Sequence, residues 1–228
     1  KALGEWSDKD IQKLVSNSPW AKAVRGTTDA PTPSSNAAPM GDASTPIQQP
    51  GMGRSRSEGL GAGPSGTMEP PTQFDSAARA AAGIPEISVT VRWLTSLPMR
   101  QAQMRAKYGK EASTAPAAKQ YIETEPAYYT LGVGGVPGLF LSAFGGDRAK
   151  EIVEKSAALT MKGKDPVHAS AVQFVPNGAN IDVLIAFPRS AAISLADQEV
   201  EFSSRLGSLT VRNKFRLKDM QVHGKLEL

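Results

Sequence analysis

The sequence predicts an α+β fold: an antiparallel β-meander sheet with a few short helices, preceded by a disordered linker and an N-terminal docking helix. Three observations carry this expectation. Six strand-like runs succeed one another through short turns from Ala158 to the end of the chain. Only three segments from Pro85 onward read as helices. Between Pro31 and Pro71 stand 8 Pro and 7 Gly, with Ile47, Leu60 and three Met as the large apolar residues. A stretch of that composition buries too little surface to offset its ordering entropy. The expected division is therefore a docking helix over 1–26, a linker over 27–84 and a folded domain over 85–228.

The first element is "SDKDIQKLVSNSPW". Ser7 and Asp10 stand at capping-box spacing, and Asp8 and Asp10 lie near the positive end of the helix dipole. Ile11, Leu14 and Val15 then share one face, and Asn17-Ser18-Pro19 stops the helix before Trp20. A helix of this length is unstable alone in water and must dock on something. Trp6, Ile11, Leu14, Val15 and Trp20 are the predicted partner-binding residues. On a linker of this length the helix reaches its own domain or a neighbouring copy with similar ease. Within the linker, "GRSRSEG" suggests a small RNA-binding or phosphorylation tract, but two arginines are too few for it.

The domain opens with "EISVTVRWLT", which places Ile87, Val89, Val91 and Trp93 on one strand face. "SLPMRQAQMRAKYG" reads as a helix with Pro98 in its first turn and Gly109 as its stop. "APAAKQYIET" adds a short helix before a strand at "AYYTLGV", and Asp147 is the expected N-cap of "RAKEIVEKSA". The remaining runs are "ALTMKG", "HASAVQFV", "NIDVLIAF", "QEVEFSS", "LTVRNKFRL" and "MQVHGKLEL".

Two turns fix the expected registers. Gly207-Ser208 as a two-residue II′ turn sets Leu206 opposite Leu209. Glu201 then faces Lys214, Glu199 faces Arg216 and Asp197 faces Lys218, while Val200 meets Phe215 and Ser204 meets Val211. Arg212, opposite Ser203, is left without an acidic partner. The basic row of the last strands thus reads as a solvated sheet face and not as a nucleic-acid groove. Asn177-Gly178 as an I′ turn pairs Phe174 with Ile181 and Val172 with Val183.

Candidate chemistry is sparse. "LGVGGVPG" (131–138) resembles a phosphate-binding loop only in its glycines, because Pro137 occupies the last glycine position and no Lys-Ser/Thr comes after it. It reads as a strand-exit turn. His168 and His223 fall in predicted strands, and Asp165 alone near His168 does not make a metal site. Glu123 and Glu125 read as loop charges, and Ser142 lacks the glycine of a nucleophile elbow. Arg100, Arg105, Lys107 and Lys110 read as a charged helix exterior. No catalytic, cofactor-binding or metal-ligating residue is predicted.

Bulk properties agree. The 228 residues carry a net charge of +4, with 40% hydrophobic and 21% charged residues and no cysteine. Disulfides, thiolate catalysis and Cys-ligated metals are excluded. No apolar run has the length of a membrane span. The chain opens on Lys1, which reads as a trimmed start or a removed targeting peptide. "NSPWAK" and the closing "KFRLKDMQVHGKLEL" resemble a group of uncharacterised bacterial proteins exported to the cell envelope. That resemblance implies an extracytoplasmic location and carries no activity. The functional expectation is a non-enzymatic structural or protein-interaction subunit of a larger bacterial assembly. Its partner, a protein or another copy of itself, is met through the helix and linker. The alternative is a ligand-binding or enzymatic domain with its site near residues 132–138.

Overall fold

The computed structural model describes residues 5–28, 87–142, 144–190 and 192–228. The expected linker lies outside the described residues apart from Thr27 and Thr28. Helix α1 (Asp8–Ser16) begins with the predicted capping box: Ser7 Oγ accepts from Asp10 N–H, and Asp10 accepts from Ser7 N–H. The chain then enters a strand that occupies the end of the expected docking segment and crosses its boundary with the expected linker at residue 27. β1 (Ala21–Thr28) pairs antiparallel with β2 (Ile87–Trp93), Ala21 opposite Arg92 and Gly26 opposite Ile87. The first segment of the chain is thus part of the folded unit.

Helix α2 (Leu97–Tyr108) has Pro in its first turn and ends at Gly109 with φ +60°, as its sequence requires. After α3 (Pro116–Glu123) come β3 (Tyr128–Pro137), the short α4 (Leu139–Ser142) and α5 (Gly146–Ser156). Gly145, and not Asp147, caps α5; Asp147 sits in its first turn, where the dipole still favours it. The strands β4 (Ala158–Thr160), β5 (Val167–His168), β6 (Ala171–Asn177), β7 (Asn180–Pro188), β8 (Glu199–Leu206) and β9 (Leu209–Arg216) complete the main sheet. Every pairing in it is antiparallel, in the order β5-β4-β8-β9-β1-β2-β3-β7-β6.

The sheet curls on itself. Its two outer strands, β5 and β6, are one run of chain separated by Ala169 and Ser170. Ala169 N–H donates to Ala157 O (3.1 Å) on one side and Ser170 N–H to Ala186 O (2.8 Å) on the other. The interior is filled by alternate residues of each strand, as the period of two demands. Trp93 stands edge-on to Tyr129 (centroids 5.9 Å apart) and to Phe215 (5.3 Å), and Phe187 meets Phe202 at 6.3 Å. Leu131, Ile185, Leu206, Leu209 and Leu217 are buried around them.

The β8–β9 hairpin has the expected register, with Leu206 opposite Leu209 and Glu201 opposite Lys214; Gly207 takes φ +67°. Asp197 departs from it. It lies in a 3₁₀ turn (Leu195–Asp197) and meets Lys164 at 2.7 Å instead of Lys218. The β6–β7 hairpin is shifted by two residues: Phe174 faces Val183 and Val172 faces Ile185, around a Gly178-Ala179 turn. Pro176 explains the shift. An Asn177-Gly178 turn would make Pro176 the closing hydrogen-bonded residue, which needs an N–H it lacks. The observed turn moves Pro176 to the next, non-bonded position and leaves the buried face unchanged.

The last expected strand is a small hairpin, β10 (Gln221–Val222) with β11 (Lys225–Leu226). His223 is in its turn and not in a strand, with φ +51° and then Gly224 at +80°. Positive φ at both turn positions is the I′ pattern.

Candidate functional site

Hydrogen-bond parity shows where the main-chain groups of β1 and β9 point. Trp93 N–H donates to Trp20 O (2.7 Å), so the even-numbered residues of β1 address β2 and the odd-numbered ones face away from it. Leu217 N–H donates to Gln198 O (2.9 Å), and Arg205 N–H is taken by Ser156 Oγ (3.0 Å) rather than by Thr210. The odd-numbered residues of β9 therefore address β8, while Thr210, Arg212, Lys214 and Arg216 turn their N–H and C=O groups towards β1. Yet β1 and β9 pair only at Thr27–Thr210 and Thr28–Leu209. The same register would set Ala23 opposite Lys214, but there the ladder has stopped. Ala21 is already occupied, since its N–H and C=O close a turn with Ser18.

The seam so formed opens into a cleft of about 480 Å³ lined by Pro19, Lys22, Lys214, Phe215, Arg216 and Asp219. Lys22 shares its face with Val24, which packs on the core. An ammonium cannot enter that apolar interior without a partner, so its aliphatic stem lies along the wall and its charge stays in the mouth. Lys214 is held loosely by Glu201 at 3.6 Å. Among the described residues, Lys22, Arg212 and Arg216 have no carboxylate at ion-pair distance. On the inner face, Asn213 Nδ2 is buried without an acceptor.

The predicted partner-binding residues lie elsewhere. Leu14 and Val15 pack against the core and Trp20 is 8% exposed within it; Trp6 and Ile11 are half-buried. Helix α1 rests on α2, β1 and β2 of its own chain, and Val15 O accepts from Arg92 Nε at 2.7 Å. The structure therefore groups these residues on the domain itself.

Residues 131–138 are neither a phosphate loop nor a strand-exit turn. All but Gly138 lie in β3, with a bulge opposite β7 between Val133 and Val136. Gly135, at φ +81°, donates its N–H to Asp182 Oδ1 (3.1 Å). A Cβ on Gly134 would stand 2.8 Å from Arg92 Nη1. Those glycines make room for the Arg92 side chain and the bend of the strand.

A second cleft, of about 390 Å³, lies between α2, α3 and the end of the chain and includes Arg100, Glu125, Tyr129, Arg189 and Glu227. Arg100 corrects the expectation of a charged helix exterior. It is buried, and its Nη1 donates to Tyr121 O, Ile122 O and Thr124 O at 3.1, 2.8 and 2.7 Å, closing the carbonyl end of α3. Burial pulls its pKa below the ordinary guanidinium value, and the charge of Glu227 opposes that shift. Arg189 lies over the Tyr129 ring (4.5 Å) and donates to Glu125 (3.0 Å) and to Leu228 O (2.9 Å). The Nε atoms of both arginines are buried without an acceptor.

Sequence reasoning missed Lys22, Ala23 and Arg189. The signal for the first two is present: "AKAVRGTT" alternates like a strand, but it stands between a helix and a Pro/Gly tract, a setting that hides its place in the sheet. No family model, curated protein or solved structure matches this chain.

Proposed function

We propose that this chain is a non-enzymatic protein-interaction subunit of a larger bacterial assembly, with the seam between β1 and β9 as its contact surface. The observation that carries the reading is the interrupted ladder. By hydrogen-bond parity the main-chain groups of Ala23 turn towards β9 and those of Lys214 and Arg216 towards β1. The ladder ends at Thr27–Thr210, and a cleft lined by Lys22, Lys214 and Arg216 opens beyond it. The filled interior supports it, because side chains occupy the space in which a small barrel would hold a ligand. An envelope location is suggested by the resemblance of "NSPWAK" and the closing strands to exported bacterial proteins. No helix among the described residues is long and apolar enough to cross a membrane.

The test is a photo-reactive residue at position 23, activated in the native cells, with one at the exposed Lys150 as control. A single heavier species from position 23 alone is expected. Cross-linking at neither position, with the protein recovered at its own 24.1 kDa, overturns the reading. A second reading has its own support: two buried, unpartnered Nε atoms border the Arg100–Arg189 cleft, which suits a small carboxylate. Native mass spectrometry of the same preparation would then show a bound small anion.

A further inference from the structure

We propose that the seam takes up an extended, acidic segment of a partner protein as an added strand. The inference rests on the interaction reading above and names the partner's chemistry. An extended segment fits because hydrogen-bond parity turns main-chain donors and acceptors into the seam at alternate residues of each strand. Only another strand matches that spacing on both sides. Ala23 offers its N–H and C=O from one wall, and Lys214 and Arg216 offer theirs from the other. Pairing to both walls is stronger than pairing to one edge.

Acidity is dictated by the side chains. A strand in the seam has its outward residues beside Arg212, Lys214 and Arg216, and its inward residues beside Asn213 and the mouth where Lys22 sits. Three of these four cations have no carboxylate of their own among the described residues. Carboxylates at alternate positions of the incoming strand would supply them. Asn213 Nδ2, buried and unpartnered, would donate to an inward-facing oxygen. Asp219 also lines the cleft and disfavours an acidic residue of the segment beside it. The arrangement also selects. A cation pointing into a strand edge discourages indiscriminate pairing, since neutral or basic strands would leave it unmatched.

The test uses the full chain and a fluorescent, end-blocked peptide of alternating Glu and Thr. Saturable binding by anisotropy is expected, weakened about tenfold or more by Lys22→Glu with Arg216→Glu, the scale of one lost charged hydrogen bond. Ala23→Pro removes an N–H that faces the seam and leaves the β2 ladder intact, so it should weaken binding by a similar factor. If that variant loses its folded circular-dichroism signal, the same peptide with alternate amides N-methylated carries the main-chain test. Equal binding of methylated and unmethylated peptides, equal binding of an alternating Lys-Thr peptide, or no saturation would each overturn the proposal. A cross-linked partner at position 23 with no peptide binding sinks strand addition alone. No cross-link at position 23 sinks the interaction reading as well.

Discussion

The indole Nε1 of Trp20 donates to the main-chain oxygen of Glu227 at 2.8 Å, tying β1 to the last residues of the chain. Trp20 is buried in the same core as Trp93 and Phe215. Replacing it by Phe keeps most of the apolar contact and loses the hydrogen bond, at a cost of about 1 kcal/mol. Trp20→Ala should cost about 3–5 kcal/mol, as for other buried aromatics. Deleting residues 1–25 removes most of β1 and should abolish cooperative unfolding in urea. A truncated chain that still melts cooperatively at the parent temperature would show that β1 is dispensable.

Arg100 binds three carbonyls at the end of α3 with one nitrogen. Arg100→Met fills a similar volume but leaves those carbonyls without their charged donor. The expected loss is about 1.5–3 kcal/mol in chemical unfolding. Arg100→Lys should fall between the two, since an ammonium reaches fewer of the three acceptors at once. Parent-like stability of the Met variant would mean that water replaces the guanidinium at no cost.

The contrast between Trp20 and Arg100 shows what the sequence made legible. The apolar periodicity identified the inward faces of β2, β8 and β9, and the Gly207-Ser208 turn set a register that holds from Leu206–Leu209 to Glu199–Arg216 and ends before Asp197. Periodicity is a local property, and a two-residue turn transmits it to the facing strand. The roles of Trp20 and Arg100 are not local. Trp20 meets Glu227, 207 positions away, and Arg100 meets carbonyls more than twenty positions ahead. Polar character alone placed Arg100 outside, because nothing nearby in sequence announces the helix end that it caps. The seam was hidden for a third reason: it arises from a pairing that stops, and pairing partners distant in sequence leave no periodic mark.

Asp197 is 6% exposed at its side chain and receives Lys164 and the Ser194 N–H. The hydrogen bond from Lys164, and after it that from the Ser194 backbone, holds its pKa below the usual aspartate value. A carboxylate with a depressed folded pKa contributes stability above its unfolded pKa, and that contribution fades as pH falls through the folded one. Asp197→Asn should therefore be less stable than the parent at neutral pH. The gap should close as pH drops below about 4, the unfolded aspartate value. Thermal melts of both proteins between pH 7 and pH 2 measure it, and a gap that stays constant across that range would remove the ion pair as its cause.

Gly178 and Gly207 open the two hairpin turns with φ of +62° and +67°. Alanine at either position meets the same backbone penalty of about 1–2 kcal/mol. Their surroundings differ: a Cβ at 178 meets nothing within 4 Å, while one at 207 collides with the carbonyl of Phe140. Gly178→Ala should lose only the backbone penalty, and Gly207→Ala should be clearly worse, with displacement of α4. Equal melting temperatures for the two variants would show that α4 yields without cost.

Gly26 faces Ile87 across an antiparallel ladder. The ends of the stretch 29–86 thus leave from neighbouring positions on β1 and β2, where a short turn suffices to join them. Closing a loop costs entropy that rises with the logarithm of its length. Replacing residues 30–85 by a four-residue Gly-containing connection should therefore leave the sheet folded. It should also raise its stability by about 2 kcal/mol, from the difference in closure entropy alone. Urea unfolding of the shortened chain beside the parent reads both effects, and the midpoint should move upward with little change in slope. A lower midpoint would mean that residues between 30 and 85 make contacts on which the sheet depends. A midpoint that rises while cross-linking at position 23 is lost would assign part of the interaction to that stretch and not to the seam.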